Sequence, residues 1–419
     1  MDQRVSVQDA QTARVLDALR ITPQHFLDFK HGLGQHAVST VDTITPVLIR
    51  PSRTRWPFTE AWYINLDTFD KGLRTTLDPR AGYCYMMRRK GKLVHFRSSG
   101  WAQLPNDGNV GWFHHIPMNV ASVSKFVTAV AVVRLLREAN IPVNTPIVSF
   151  LPQYWNRHAS IGAVTVHHLL RHEAGLGGTI TGSGEGDFAE AKREISLGSS
   201  ATGNSKFVYK NVNFAILRVL FATLTTTLSP SSTTPASLSV LGIDDDVFWD
   251  VVSASAYNNF VNENVFAPAN IDAREFKADE NAAKGYATPP MAPGEPIEDG
   301  AGRSGQTGWH LTINELVRLL DEFRAGSMMP RWRAQQLLSN MYGLDEPLIT
   351  AAGPVYRKGG RRVVNKKGMD SAIYLMPDDV DFAIFVNSFQ EASLLDAVPT
   401  LIRNSIEFTL FSVLRATGR

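Results

Sequence analysis

Hydrophobic residues recur along this chain with two periods, one typical of helices and the other of strands. The most hydrophobic run, FVTAVAVV at 126–133, follows two serines and a lysine and predicts a helix that is buried on nearly every side. In the run at 311–323, Thr312 followed by Glu315 predicts a capping box at the helix start. Helical spacing also occurs at 8–30, 68–76, 206–222 and 245–265.

Shorter runs rich in aromatic and β-branched residues predict strands near both ends of the chain. Residues 82–102 predict a hairpin that turns at Lys90-Gly91, and a final helix is predicted from about 399 to 413. Three further runs predict an antiparallel meander at 361–367, 371–377 and 381–387. Strands at both ends with helices between them predict an α+β fold, in which an antiparallel sheet is flanked by helices.

This pattern also predicts how the chain is divided. We expect residues 1–66 to form an N-terminal extension and residues 67–419 to form the main domain. An inserted all-helical region is expected at about 140–350, between the strands of the first hairpin and those of the meander.

The charge balance and the cysteine count exclude several classes of function. Lys+Arg 42 and Asp+Glu 40 give a net charge of only +2, so no nucleic-acid partner is predicted. Cys84 is the single cysteine, which excludes an intrachain disulfide and a multi-cysteine metal site. The polar N-terminus and the lack of an uncharged apolar run of about 18 residues predict a cytoplasmic protein with no membrane partner. The oligomeric state stays open.

The residues before the most hydrophobic helix have the spacing of a nucleophile and its activating amine. Ser122 and Lys125 form an S-x-x-K pattern, and on a helix these two side chains lie on the same face. Burial and the positive end of the helix dipole would both lower the pKa of the lysine, which favours its action as a base. The alternative is an N-cap serine with a lysine that snorkels to solvent, and the tetrapeptide alone does not separate the two.

Two further stretches separate them. Tyr209 and Asn211 form Y-x-N just before another apolar helix, and residues 164–176 read VTVHHLLRHEAGL. With S-x-x-K ahead of them, these motifs in this order resemble the serine β-lactamase-like superfamily over about residues 82–410. The resemblance is strongest to its class C branch, which includes β-lactamases, D-alanyl-D-alanine peptidases, family VIII esterases and some acyltransferases.

The resemblance implies a β-lactamase/transpeptidase-like fold and a role for each matched residue. Ser122 would be the acylated nucleophile, and Lys125 would take or relay its proton. Tyr209 would act as general base and later as general acid, because nearby lysines could stabilise its phenolate. Asn211 would direct its amide toward Lys125 or toward the substrate carbonyl. No cofactor is implied.

The third motif of these relatives, K-T-G or H-x-G on a strand that faces the serine, has no clear match in this chain. The best local candidate is 366–368, in which Lys366 and Gly368 would bind the substrate and its oxyanion. Two other placements remain open, at 362–364 and at 356–360, the second of which carries Lys358. A solvated basic strand is also possible.

The histidines of the 164–176 stretch suggest a metal site less strongly than they suggest packing. His168 and His172 have i, i+4 spacing, but no H-E-x-x-H order accompanies them. We therefore predict no metal site.

The function predicted from these residues is that of a serine hydrolase, a carboxylesterase-like enzyme that cleaves small esters, with amides or β-lactams as further substrates. Acyl transfer, and β-lactamase or D-amino-acid peptidase activity, are the alternatives within the superfamily. A non-catalytic scaffold that retains the fold is the alternative outside enzymes.

Overall fold

The computed structural model describes residues 11–26, 58–77, 82–176, 184–200, 206–388 and 394–412. The strands are β1 (Phe58–Ile64), β2 (Gly82–Arg89), β3 (Lys92–Gln103), β4 (Val110–Gly111), β5 (Met118–Asn119), β6 (His310–Leu311), β7 (Asp345–Thr350), β8 (Gly353–Val364), β9 (Lys367–Met376), β10 (Val380–Val386) and β11 (Ile406–Ser412). The helices are α1 (11–18), α2 (23–26), α3 (Leu66–Leu77), α4 (Ser124–Glu138), α5 (Val166–Leu170), α6 (Phe188–Leu197), α7 (Val212–Leu224), α8 (Ala236–Ser239), α9 (Asp245–Val261), α10 (Ile313–Ala325), α11 (Arg331–Ser339) and α12 (Leu394–Asn404).

Within the described residues, an antiparallel sheet of seven strands forms the centre of the molecule, in the order β4-β3-β2-β10-β9-β8-β7. The hairpin predicted at 82–102 is confirmed as β2 and β3, and Lys90 and Gly91 take positive φ at its turn. The predicted meander is confirmed as β8, β9 and β10. Because β2 pairs with β10, the sheet joins strands from distant parts of the chain.

Alternating side chains of the sheet face two different cores. On β2, Cys84 and Met86 belong to the larger core, which includes α4, α7 and α9. Tyr85 and Met87 point to the other face, where α3 and α12 pack. Helices α4, α7 and α9 therefore lie on one face of the sheet and α3 and α12 on the other, which confirms the α+β prediction.

The start of α10 is set by a local signal in the sequence. Thr312 accepts a hydrogen bond from the Glu315 N–H, and the Glu315 carboxylate accepts one from the Thr312 N–H. The predicted capping box is therefore confirmed. None of the described helices is both long and apolar enough to cross a bilayer.

The C-terminal segment differs from the prediction. A helix was expected from about 399 to 413, but α12 ends at Asn404 and β11 begins two residues later. The sequence IEFTLFS alternates with the period of a strand, and its partner β1 lies more than three hundred residues earlier, where Phe58 pairs with Ser412. A non-local pairing therefore overrides the helical spacing at this end.

The first part of the chain contacts the main domain. Phe26 in α2 is fully buried, and its ring stacks on Phe248 of α9 with ring centroids 6.3 Å apart. Strand β1 also lies within the segment predicted as an extension, and it pairs with β11 along its whole length.

Candidate active site

The S-x-x-K pattern lies where a short 3₁₀ helix, Ala121–Val123, leads directly into α4. Ser122 is half-buried in the 3₁₀ turn, and Lys125 is completely buried in the first turn of α4. The Lys125 Nζ donates to Ser122 Oγ at 3.0 Å and to the Gln306 carbonyl at 2.9 Å. A snorkelling lysine is thereby ruled out, because the ammonium group is surrounded by protein and bonded to the serine.

Tyr209 reaches the same serine from the segment before α7. Its Oη lies 2.7 Å from Ser122 Oγ, and the Lys125 Nζ lies 5.1 Å from the centre of its ring. The structure therefore brings the side chains of Ser122, Lys125 and Tyr209 together. The first two share a helix start because of local spacing, whereas the third arrives through packing of α7 against α4.

The third motif lies on β8 at Lys358-Gly359-Gly360, which was one of the other two placements. Lys358 is buried, and its Nζ lies 4.8 Å from the centre of the Tyr209 ring. Asp345 on β7 holds this part of β8, because its carboxylate accepts from Lys358 Nζ at 2.5 Å and from the Gly359 N–H at 2.8 Å.

The structure does not place Lys366, the lysine of the best local candidate, beside Tyr209 as it places Lys358. Lys366 is exposed in the two-residue turn between β8 and β9, where it takes φ +60°. Gly368 pairs with Val363 across that hairpin, and its N–H donates to the Tyr286 carbonyl at 3.1 Å. Lys366 is thus exposed in a hairpin turn, whereas the buried Lys358 is the lysine of this hairpin that lies beside Tyr209.

The edge of β8 approaches the serine closely at Gly360. A Cβ atom at this position would lie 2.9 Å from the Ser122 nitrogen and 2.5 Å from the Val120 carbonyl oxygen. The Gly359 N–H points away from β9 toward Asp345, and alternate residues of an antiparallel strand point the same way. The Arg361 N–H therefore points away from β9 as well, at the residue next to Gly360, and it is a candidate oxyanion donor.

Burial and charge set the pKa values of the three polar side chains around the serine. Burial lowers the pKa of Lys125, and the nearby Lys358 lowers it further. Burial alone would raise the pKa of Tyr209, but the ammonium groups of Lys125 and Lys358 outweigh it and lower that pKa. Burial would lower the pKa of Lys358, but the Asp345 carboxylate outweighs it and raises that pKa. The site therefore combines an acidified phenol with a lysine that stays charged.

A polar cavity opens over Ser122. Its wall carries Arg303, Arg361 and Arg362, with the carboxylates of Glu185 and Asp299 between them. The arginines are largely paired with acidic neighbours, as Arg361 with Asp370 at 2.8 Å and Arg362 with Asp299 at 2.9 Å. The cavity wall over Ser122 is therefore polar, with its charges largely compensated.

Asn211 lines this cavity, but its amide does not point as predicted. The Nδ2 group donates to the Gly184 carbonyl at 2.8 Å instead of to Lys125, and it thereby fixes the chain at the cavity rim. Its Oδ1 is buried without a hydrogen-bond partner among the described residues.

Sequence reasoning missed Asp345 and the Gln306 carbonyl. No motif marks Asp345, since its role depends on the pairing of β7 with β8. Gln306 contacts Lys125 through its main-chain carbonyl, so the identity of its side chain does not predict this contact. Across the described residues, no group of three or more histidine, cysteine or acidic side chains is arranged to hold a metal ion.

Comparison with known proteins agrees with this geometry. The Beta-lactamase family model matches residues 73–233, a segment that carries Ser122, Lys125 and Tyr209. Esterase EstB from Burkholderia gladioli is 32% identical over 111 residues, which cover 26% of this chain and 27% of EstB. The aligned part therefore spans only about a quarter of that relative.

Solved structures match over most of the chain. FmtA from Staphylococcus aureus superposes with a TM-score of 0.59 at 14% identity, covering 85% of this chain and 93% of FmtA. EstCE1, described as a hydrolase with promiscuous acyltransferase activity, superposes with a TM-score of 0.57 at 16% identity, covering 81% of this chain and 97% of EstCE1. These likenesses confirm the predicted β-lactamase/transpeptidase-like fold.

Proposed function

Because residues 73–233 match the Beta-lactamase family model and the fold is β-lactamase/transpeptidase-like, we propose that the chain is a serine hydrolase that forms an acyl-enzyme on Ser122 and cleaves small carboxylic esters. One observation carries the proposal. Ser122 Oγ is within hydrogen-bond distance of both Lys125 Nζ, at 3.0 Å, and Tyr209 Oη, at 2.7 Å. A hydroxyl that contacts two potential bases at a cavity floor is arranged for nucleophilic attack.

The first step is acylation. The ionised Tyr209 takes the proton of Ser122 as Oγ attacks the ester carbonyl carbon, and the carbonyl π electrons move to oxygen. The ammonium groups of Lys125 and Lys358 lower the pKa of Tyr209 despite its burial, which favours the phenolate over that of a free tyrosine. Lys125 donates to Ser122 Oγ, and its ammonium group lies beside the Tyr209 ring, so it stabilises the negative charge that passes between the two oxygens.

The oxyanion is stabilised by main-chain donors. The Ser122 N–H at the start of the buried helix supplies one, and the Arg361 N–H at the β8 edge supplies the other. The approach of Gly360 to the serine keeps these two donors close together. Collapse of the tetrahedral intermediate breaks the bond to the leaving alkoxide, which receives the proton now held by Tyr209.

Hydrolysis of the acyl-enzyme repeats these steps with water in place of the serine. Tyr209 takes a proton from water, hydroxide attacks the acyl carbonyl, and Ser122 leaves with that proton returned to its Oγ. The products are the carboxylic acid and the restored serine.

The third motif supports an ester rather than a β-lactam or a peptide. Gly359 stands where the relatives' K-T-G has threonine, so no hydroxyl is available there for a substrate carboxylate. An ester needs only the main-chain donor of this strand. The partial similarity to EstB, a protein named as an esterase, points the same way.

Acyl transfer to an alcohol is the second candidate, supported by the fold similarity to EstCE1. The two activities divide the same acyl-enzyme between water and an alcohol. Product analysis with p-nitrophenyl acetate and added methanol measures that division, because methyl acetate forms only by transfer and acetate only by hydrolysis.

The acyl-enzyme is tested with a fluorophosphonate probe and intact-protein mass measurement. We expect one adduct on the native chain and none on Ser122→Ala. Ser124→Ala is the matched control and should keep the adduct. Ser124 lies two residues away but is fully buried, so it should not react with the probe. An adduct that persists in Ser122→Ala, or no adduct on the native chain, would contradict the proposal.

A further inference from the structure

His172 lies against the face of Tyr209 at the end of the turn that follows α5. It is almost completely buried, and its ring centre lies 4.5 Å from that of Tyr209. The rings of Phe207 and Phe214 pack around it at 5.6 and 5.1 Å. Its φ of +57° is a conformation that histidine and asparagine tolerate better than most residues.

The hydrogen bonds of His172 hold both chain neighbours of Tyr209. The His172 carbonyl accepts from the Val208 N–H at 2.8 Å, and the ring Nδ1 accepts from the Lys210 N–H at 3.3 Å. The Asn213 Nδ2 also lies 3.0 Å from Nδ1. One residue therefore fixes the main chain on each side of the phenol, in a segment that belongs to no helix or strand.

These contacts require a neutral histidine with its proton on Nε2. Two donors face Nδ1, so that atom must carry the lone pair. Burial, together with the ammonium groups of Lys358 on β8 and Lys125 on α4, holds the pKa of His172 well below its usual value. The ring therefore stays an acceptor through the pH range in which an ester is cleaved.

We propose that His172 is a positioning residue that holds the Tyr209 hydroxyl at Ser122. This inference rests on the proposed role of Tyr209 as the base. The distance of 2.7 Å between Tyr209 Oη and Ser122 Oγ depends on the path of residues 208–210, and His172 is bonded to both ends of that path. A displacement of about 1 Å at such a contact lowers rates by about 100-fold.

Two substitutions distinguish the effect of the hydrogen-bond acceptor of His172 from the effect of its aromatic ring. His172→Asn places an amide oxygen where Nδ1 lies and suits the positive φ, so it keeps the bond from the Lys210 N–H. His172→Phe keeps a ring but leaves that N–H without its acceptor. His168→Asn is the matched control, because His168 Nδ1 likewise lies 3.2 Å from a main-chain N–H, that of Thr165, within the α5 capping box.

We expect His172→Phe to lower kcat by about 100-fold with KM changed by less than about threefold. His172→Asn should lose no more than about tenfold, and His168→Asn should resemble the native chain. Thermal unfolding of each variant shows whether it is folded. If the phenylalanine variant does not fold, His172→Gln serves in its place. The amide of glutamine lies one methylene further from the main chain than Nδ1 does, so it does not replace that acceptor.

A second readout does not require turnover. Ultraviolet titration of tyrosinate, with Tyr209→Phe as the reference, reports the pKa of Tyr209 directly. We expect that pKa to be higher in His172→Phe than in the native chain, because the phenol moves away from its two cations. Equal losses of kcat in the Asn and Phe variants, or an unchanged Tyr209 pKa in both, would overturn the inference. Failure of the proposed function would appear separately, as a native chain without a Ser122 adduct.

Discussion

At the scale of single residues, the site depends on a phenol between two buried cations. The Nζ atoms of Lys125 and Lys358 lie 5.1 and 4.8 Å from the centre of the Tyr209 ring. Both ammonium groups favour the phenolate, and the low effective dielectric of a buried site strengthens their effect. Lys358 can stay charged there because Asp345 is paired with it.

Replacement of Lys358 should therefore move the pH dependence of ester hydrolysis. Activity requires loss of a proton from the Tyr209 and Lys125 pair, so the rate rises with pH through their lowered pKa values. Lys358→Met removes a charge that lowers both pKa values, and the acidic limb of kcat/KM should move to higher pH by about one unit. At a pH on that limb, kcat/KM should fall about tenfold.

Lys366→Met is the control for this substitution. Lys366 is an exposed residue of the β8–β9 turn, so its loss should leave the pH profile of p-nitrophenyl acetate hydrolysis unchanged. If the pH profile of kcat/KM moves in the Lys366 variant and not in the Lys358 variant, residues 366–368 are the third motif. Profiles of kcat/KM against pH for the three proteins decide between the two lysines.

The sequence could predict Ser122, Lys125 and Tyr209 as a set, but it could not choose between the lysines. Ser122 in the 3₁₀ turn and Lys125 at the start of α4 are three residues apart, so helical geometry alone makes the two side chains neighbours. Lys358 and Lys366 lie on one hairpin, and only its register shows which of them reaches Tyr209. Register is fixed by pairing across the sheet, which a short motif does not encode.

At the scale of elements, the decisive contact is the one between β8 and the 3₁₀ helix that carries Ser122. Gly360 allows it, because a side chain there would strike the Ser122 nitrogen at 2.9 Å and the Ser371 hydroxyl at 2.7 Å. The Ser371 Oγ also donates to the Val120 carbonyl at 2.7 Å, which joins β9 to the same turn. The strand edge and the turn therefore form one rigid unit.

Gly360→Ala should move β8 away from the 3₁₀ turn that carries Ser122. The added methyl forces β8 away from the serine, so the two oxyanion donors no longer converge and kcat should fall by about 100-fold. Overpacking should also lower the free energy of unfolding by about 1–3 kcal/mol. Steady-state kinetics and denaturant unfolding measure the two effects.

Gly162→Ala is the matched control for Gly360→Ala, because a Cβ at Gly162 meets no atom within 4 Å. Its kinetics should match those of the native chain. Normal kcat in the Gly360 variant would mean that the β8 edge is not needed for the oxyanion. The donor would then have to come from another element.

Elements with local signals were predictable, and those with distant partners were not. The start of α10 follows from Thr312 and Glu315, which lie three residues apart. Strand β11 was mistaken for helix, because its pairing with β1 joins residues from the two ends of the chain. Its helical and strand signals were of similar strength, and only the partner decides between them.

At the scale of the whole molecule, the question is whether the first residues belong to the folding unit. Val15 and Phe26 are buried in the same core as α4 and α7, and the Gln11 side chain donates to the Thr227 carbonyl at 2.9 Å. Strand β1 pairs with β11, which lies near the other end of the chain. These contacts indicate that at least residues 11–26 and 58–64 fold together with the main domain.

Phe26→Ala tests this directly. If residues 11–26 are part of one cooperative unit, loss of a fully buried ring that stacks on Phe248 should lower the free energy of unfolding by about 3 kcal/mol. The denaturant midpoint would move while a single transition is kept. Trp332→Ala is the control, because Trp332 is a large ring that is 61% exposed, and its loss should cost less than about 1 kcal/mol. A Phe26 variant as stable as the control would mean that the segment is a separate extension, docked weakly on a domain that folds without it.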